Sequence, residues 1–490
     1  MNILEILKKS NGSAKIALQY DELDLPGDLE TPVSAFLKLR PLGAKFLLES
    51  AEDPTAIGRY TFIGIDPLLQ VRIEKERTVM TSGDNELIVN HVSHVDPFAG
   101  VRKLLETFAL ESSRAEIPLL GGLVGYTSYE IVQCFEPKLA GLLPQSNQPL
   151  GIYYFVDTVL VFDHYMRRLK LLRLRHSDGS LGSGREHVSL EQIRDALSSR
   201  TITSDHTKVS SDHQYASNFS QSDYEDVVVK AQKHIFKGDI FQVVLSQREE
   251  RTSEVDGFHV YRALRMLNPS PYMFYLQFDD IELIGSSPEA MVRLQGRQAT
   301  IRPIAGTRRR GRSPEDDQRM ANELLRDEKE RSEHVMLVDL GRNDLGRVCK
   351  YGSVKVSSMM QMEYYSHVMH MTSNVIGQLR DDSSQFDLFR AAFPAGTVSG
   401  APKLRAMEII ADLEKTSRGP YAGAVGYFSL SGDLDMCITI RTIVKRGNRL
   451  HLQAGAGIVA DSIPAQEYLE TGNKIAALKE AIRIAEEGLL

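Results

Sequence analysis

Four short strand-forming runs sit almost back to back in the first hundred residues, at 45–50, 60–65, 69–73 and 86–91. Asp-Pro and Ser-Gly-Asp punctuation separates them, which is the pattern of antiparallel β-structure. Two longer strands follow within 150–175, the second alternating apolar and basic side chains from Arg168 onward. Beyond residue 222, strands and helices succeed each other without strict alternation. A doubly wound parallel sheet needs that alternation, so the chain reads as α+β, with mixed or antiparallel sheets.

At 490 residues the chain has room for roughly two to four domains. Apolar side chains make up 42% of it, enough for a large buried core. A net charge of −7 excludes the broad basic footprint of a nucleic-acid binder, while leaving room for a local basic pocket. Cys134, Cys349 and Cys437 lack metal-ligand spacing and read as small buried hydrophobes in a reducing compartment. No stretch reaches the about 18 apolar residues of a membrane span. The longest run, 153–162, is interrupted by Asp157, and the N-terminus lacks a signal-peptide cleavage pattern. A cytoplasmic protein, with neither membrane nor nucleic acid as partner, is expected.

Residues 176–221 are rich in Ser, His, Asp and Gly, with one weakly helical piece at 190–197. They are expected to be a polar linker between an N-terminal domain, 1–175, and a second domain, 222–490. There, Ser222-Asp-Tyr-Glu225 reads as a capping box opening a helix that Gly238 ends. Strands are expected at 240–247, 271–278 and 364–379, with a helix running from Ser313-Pro314 to about residue 340. Another helix opens near Ala401. Strands near 421–430, 434–444 and 449–459 precede a final helix, 464–487.

Two of these helices carry paired acids. Glu330 and Glu333 share one face of the middle helix; Glu467 and Glu470 share one face of the last, with Lys474 a turn beyond. Like charges on one turn repel, so helix stability explains neither pair. Clustered hard oxygen donors suit Mg2+, and a solvated acidic face is the alternative. Segments 304–307, 395–400, 423–426 and 455–457 combine glycine with polar anchors, which suits a close ligand as well as a tight turn. Ser399-Gly-Ala-Pro-Lys403 opens a helix whose N-terminus favours negative charge. Walker and Rossmann spacings are absent, so no nucleotide cofactor is expected. Arg441, placed mid-strand among apolar neighbours, needs a carboxylate fork or a surface position. The basic cluster 308–312 reads as solvated or near the mouth of a site. His370, on the 364–379 strand, is by itself more simply a satisfied core residue.

Read in order, the segments form a specific pattern: PIAGT (303–307), DEKERSEHVMLVDLGRND (327–344), VMH (368–370), PAGTVSGAPK (394–403), GAVGY (423–427), CITIRT (437–442) and QAGAGIVADS (453–462), then Glu467, Glu470 and Lys474. This resembles the chorismate-utilising enzymes over almost all of residues 222–487. The resemblance implies a sandwich-like core of sheets flanked by helices. It implies Glu333 and Glu470 as direct Mg2+ ligands gripping the ring carboxylate of chorismate, with Glu330 and Glu467 acting through waters. Tyr421 and Arg441 would hold the enolpyruvyl carboxylate beside the backbone of Gly455, Ala456 and Gly457. Gly306, Thr307 and Thr397 would line the same pocket, and Lys474 would complement the acids. Glu289 would protonate the departing 4-hydroxyl, which needs a pKa raised by burial or nearby charge. His370 would serve the elimination of pyruvate.

Two positions separate the branches of that family. Water-adding relatives, which form isochorismate or salicylate, carry a lysine base where this chain has Gln242, and ammonia needs no such base. The aminodeoxychorismate-forming branch carries lysine in place of Ala305. Both differences point to amination at ring carbon 2, with anthranilate as product. In the N-terminal half, Leu47-Leu-Glu-Ser50 and Gly58-Arg-Tyr60, together with Asn268-Pro-Ser-Pro-Tyr-Met273, resemble a tryptophan-feedback site. That resemblance implies Glu49, Ser50, Pro271, Tyr272 and Met273 as contacts of L-tryptophan, the inhibitor. No cysteine sits in a G-x-C-x-G elbow, so the resemblance implies a separate glutamine amidotransferase subunit supplying ammonia, in a hetero-oligomer. A tryptophan-binding regulator with a dead active site is the alternative from another class; the intact acids, His370 and glycine segments disfavour it.

Overall fold

The computed structural model describes residues 3–9, 15–50, 57–91, 96–111, 117–144, 146–176, 179–181, 187–199, 208–209, 214–364 and 368–489. Within them the strands assemble into two sheets, of 14 and 12 strands. The pairings are antiparallel, save that of Ile16–Pro26 with Phe108–Leu110. The sheets lie face to face. Phe46, Phe62 and Phe274 of the larger sheet interdigitate with Tyr126, Tyr154 and Tyr427 of the smaller. Phe62 and Tyr427 meet edge-on across the gap, ring centroids 6.1 Å apart.

Helices cover both outer faces. Pro32–Leu39, Gly257–Leu267 and Pro464–Glu487 pack on the larger sheet around Leu47, Tyr275 and Ile284. Ala99–Glu106, Glu328–Gly346 and Gln385–Ala392 pack on the smaller. The result is a four-layered α+β sandwich flanked by helices, as expected. Strands covered on both faces read as unbroken apolar runs rather than alternating ones. This explains the longest apolar stretch of the chain: Gly151–Val156 lies in the smaller sheet and Thr158–Asp163 in the larger, all buried, with Asp157 at the step between sheets. Among the described residues no helix is long and apolar enough to cross a membrane.

Each sheet takes strands from both sides of the expected linker. In the larger, Ala44–Glu49 pairs with Tyr272–Gln277, Glu49 opposite Met273. In the smaller, Gly122–Thr127 pairs with Ala424–Ser429. Within 176–221 the described residues include the helix Leu190–Ser198, capped by Ser189.

Four local expectations are corrected. The helix expected at Ser222 is Gln221–Phe236, capped by Ser220, whose Oγ accepts from the Asp223 N–H at 3.2 Å. The 313–340 helix is two, Pro314–Arg326 and Glu328–Gly346, because the Asp327 carboxylate accepts from the N–H groups of Lys329 and Glu330 and restarts the helix. A strand, Lys355–Tyr364, precedes Val368–Gln378 and pairs with it. Most consequentially, the 434–444 strand is two: Leu434–Ile438 belongs to the smaller sheet and Thr442–Arg446 to the larger. Arg441 is therefore not mid-strand. It sits at the crossing, with φ of 50° in the left-handed region.

Candidate active site

The neighbouring strands make the same crossing side by side. Glu282–Ser287 lies in the larger sheet and Ala290–Gln295 in the smaller, with Glu289 at the joint. Gly285 is opposite Thr442 and Ala290 opposite Cys437, so the two crossings lie level. The backbone ties them: Ser286 N–H donates to the Arg441 carbonyl at 3.1 Å and Ile438 N–H to the Glu289 carbonyl at 3.0 Å. A corner between two sheets thus presents an acid and a guanidinium together.

Burial pushes the Glu289 carboxyl above its ordinary 4.5, opposed by a 2.9 Å hydrogen bond from Thr397 Oγ1 and by Lys474 and Arg441. Arg441 is half-buried, and its partial desolvation lowers its pKa, while Glu289, Tyr421 and Glu470 act the other way. Tyr421 is buried and its hydroxyl raised, so it stays a donor. His370 is opposite Thr307 across the paired strands and hydrogen-bonds the Gly306 backbone; burial lowers its pKa, favouring the neutral ring. Gly306 occupies a bulge at φ of 65°, where a Cβ would meet Leu324 at 2.8 Å.

The strand Arg449–Ile458 forms another wall, paired with Gln242–Thr252. Its glycines are spaces for neighbours. A Cβ on Gly455 would lie 2.7 Å from the Tyr421 hydroxyl, and one on Gly457 would lie 2.7 Å from Gln242 Nε2. Ala456 contributes backbone only, its methyl being packed in the core under Gln221–Phe236. Gln242 Nε2 donates to Glu333 Oε1 at 3.1 Å, joining this wall to the first acidic helix. Lys474 donates to the Gly455 carbonyl at 2.8 Å and pairs with Glu470 at 2.7 Å, joining it to the second.

A side-chain bridge links the N-terminal end of the first acidic helix to the turn before the second. Lys329 bridges to Asp461 at 3.0 Å, within electrostatic reach of Glu333 and Glu467. Burial raises the pKa of Glu467, with Glu470 adding to the rise. Glu330 stands behind, its carboxylate taken by Arg308 at 3.1 Å. Among the described residues no three His, Cys, Asp or Glu side chains are grouped as a protein-only metal cage. Mg2+ needs only one or two carboxylates, completing its octahedron with waters and substrate oxygens. Glu333 and Glu470, one from each helix, are donors of that kind, and a bound cation would relieve the crowding of Glu467 by Glu470.

The residues of the other predicted site lie elsewhere, in a cavity of about 610 Å3 between the sheets. Glu49, Ser50, Pro271, Tyr272 and Met273 all line it, with Arg293, Tyr427 and Asp435. Glu49 does so without its carboxylate, which turns to the outer face, accepts from Arg265 Nε at 2.6 Å and is bonded by Tyr261.

One element of the corner escaped sequence reasoning. Arg418 is 4% exposed and fully paired. It donates to Glu414 at 2.7 and 2.8 Å, and to the carbonyls of Val398 and Val244, each at 2.8 Å. It thereby fixes the turn that carries Thr397 and the strand that carries Gln242, with Tyr421 5.7 Å from its guanidinium. The signal was a charged residue inside Ser-Arg-Gly-Pro-Tyr421. Lys403, read as part of an anion-binding helix start, is instead paired with Asp344 at 2.8 Å. Arg308 and Arg310 of the basic cluster are likewise paired, with Glu330 and Asp317.

A corner of this kind, an acid and cations beside two linked acidic helices, defines a site for a small anionic substrate. Residues 43–480 match the chorismate binding enzyme family, and the chain belongs to that family. It is 43% identical to anthranilate synthase component 1 of Aquifex aeolicus, over 99% of this chain and 98% of that protein. The counterpart from Pseudomonas putida is 41% identical, over 99% of both. Among solved structures, anthranilate synthase component I from Streptococcus pneumoniae superposes with a TM-score of 0.74 at 34% identity, over 86% of this chain and 92% of that one. The menaquinone-specific isochorismate synthase from Escherichia coli superposes at 0.70 with 18% identity, over 98% and 100%, a likeness of fold alone.

Proposed function

We propose that the chain is the large subunit of an anthranilate synthase, converting chorismate and ammonia to anthranilate, pyruvate and water in the first step of tryptophan biosynthesis. One contact carries the choice of nucleophile: the Gln242 amide on Glu333. A neutral amide stands where water-adding relatives hold a lysine base, and ammonia arrives already nucleophilic.

Glu333 and Glu470 would hold Mg2+, with Glu330 and Glu467 supporting through waters. The bound ion would neutralise the ring carboxylate and draw electron density from the ring. This chain's residues supply the rest. Arg441 and Tyr421 grip the enolpyruvyl carboxylate, the guanidinium through charge-assisted hydrogen bonds. The strand at Gly455 and Gly457 comes close because no Cβ intrudes. Glu289 gives its proton to the 4-hydroxyl, which leaves as water while nitrogen bonds to carbon 2. His370, neutral through burial, then takes the proton from carbon 2 as the enolpyruvyl oxygen departs; the enolpyruvate is protonated to pyruvate and the ring is aromatic. Ammonia would come from a glutamine amidotransferase subunit. L-tryptophan would inhibit from the cavity at Ser50, whose volume suits a ligand of that size.

The purified chain, given chorismate, Mg2+ and ammonium, should yield fluorescent anthranilate and pyruvate in equal amounts. A product retaining its enolpyruvyl group would overturn the reading in favour of the aminodeoxychorismate-forming branch. Added tryptophan should suppress turnover, and substitution of Ser50 should relieve it.

A further inference from the structure

Another cavity, of about 600 Å3, opens where the turn before Pro32–Leu39, the hairpin after Thr158–Asp163 and the helix Gly257–Leu267 meet. It belongs to neither site described above. Arginines dominate its lining: Arg167 and Arg168 from the hairpin, and Arg262 and Arg265 from the helix. Arg265 is committed to Glu49. The other three form no hydrogen bond or ion pair to a carboxylate among the described residues, and Arg262 Nη1 is buried with no hydrogen-bond partner at all. A buried N–H of a guanidinium left unmatched is costly, so such groups are normally paired.

The carboxylates around the cavity do not compensate. Asp163 is held by Arg59 at 2.9 Å and also accepts from Met166 N–H at 3.0 Å. Glu30 is taken by Lys38 and by Ser34, the latter at 2.8 Å. That leaves exposed Asp28 against three uncompensated guanidinium groups.

We propose that this cavity binds a small anion carrying two phosphate groups, with Arg262 at its floor and Arg167 and Arg168 at its rim. Guanidinium forks match phosphate oxygens two at a time. The volume exceeds that of one phosphate and lies within the range of small-ligand pockets, about 300–1,000 Å3. An acidic protein segment is disfavoured because the arginines line a concavity bounded by three elements rather than a flat surface. The proposal is independent of the reaction assigned above.

Pyrophosphate is the probe. Titrated into the full chain, it should bind in the millimolar range or tighter and raise Tm with concentration. R262Q should weaken binding by about tenfold or more, the loss of one buried charge-assisted pair. R167Q/R168Q, which alters only exposed side chains, should weaken it as well and controls for misfolding of the first variant. Turnover of chorismate should be unchanged in both. Absence of binding, binding unaltered in both variants, or binding of polyglutamate but not pyrophosphate would each overturn the proposal.

Discussion

A methyl group on Gly457 would stand 2.7 Å from the Gln242 amide nitrogen and no nearer than 3.6 Å to any other atom. The side chain can swing away, so G457A should fold normally while losing the Gln242–Glu333 contact. It should then lose activity as Q242A does, and the double variant should be no worse than either single one. Additive losses in that double-mutant cycle would show that the glycine acts otherwise. In the proposed mechanism Glu289 sets the pH dependence. It must be protonated to act as an acid, and burial raises its pKa above 4.5, so activity should fall as pH rises through that raised value. His370 must be neutral, and its pKa is depressed below 6.5, so the acidic limb should lie below 6.5. E289Q should cut kcat by about a hundredfold or more and erase the basic limb while retaining the acidic one. A basic limb that persists in E289Q would reassign the acid.

At the scale of elements, the sequence was most legible where periodicity and caps act alone. The final helix runs Pro464–Glu487, as its pattern predicts, because Ile475, Leu478, Ile482 and Ala485 recur at helical spacing on its buried face and Gly488 takes the left-handed position beyond its end. Legibility failed where a third dimension decides. Residues 434–444 are apolar on both sides of Arg441, and nothing local says that the run changes sheets there; the crossing depends on the partner strand making the same step at Glu289. The acids, His370 and the glycine segments were found as motifs, whereas Arg418 was not, since beyond its neighbour Glu414 its partners are the backbone carbonyls of Val398 and Val244, remote in sequence. Asp157 marks a corresponding crossing in the N-terminal half, and is 4% exposed. Burial pushes its pKa up to about 6, against the attraction of Arg173 and His187. A folded-state pKa above the ordinary 3.8 means that the folded protein binds this proton more tightly, so the group costs stability as pH rises from about 4 to 6 and fully above that. D157N should therefore stabilise the protein at pH 8 by on the order of 2 kcal/mol and leave it unchanged near pH 4. Equal Tm differences at both pH values would locate the effect in packing instead.

For the whole molecule, the decisive feature is that neither half owns a sheet. The strand Ala44–Glu49 lies between Tyr60–Ile65 and Tyr272–Gln277, and Gly122–Thr127 lies between Gly151–Val156 and Ala424–Ser429. Separating the chain at the polar segment would open both sheets along a central strand and strip Phe46, Phe62, Tyr126 and Tyr154 from the shared core. Edges so exposed are templates for aggregation rather than for independent folding. The residues proposed as catalytic all follow residue 222, yet the sheet corner that holds Glu289 and Arg441 rests on the layers that the N-terminal half completes. A fragment of residues 222–490 expressed alone should be insoluble or lack cooperative unfolding, and should not turn over chorismate with ammonium. Co-expressed with residues 1–200, it should recover both a single cooperative transition and activity, because the gap removes only the two-residue edge strand Ala216–Ser217, paired with Glu250 and Glu249, from the strand pairings described in the two sheets. A folded, active 222–490 fragment would mean that the smaller set of strands suffices to hold the corner. The contribution of the N-terminal half would then be confined to the cavity at Ser50.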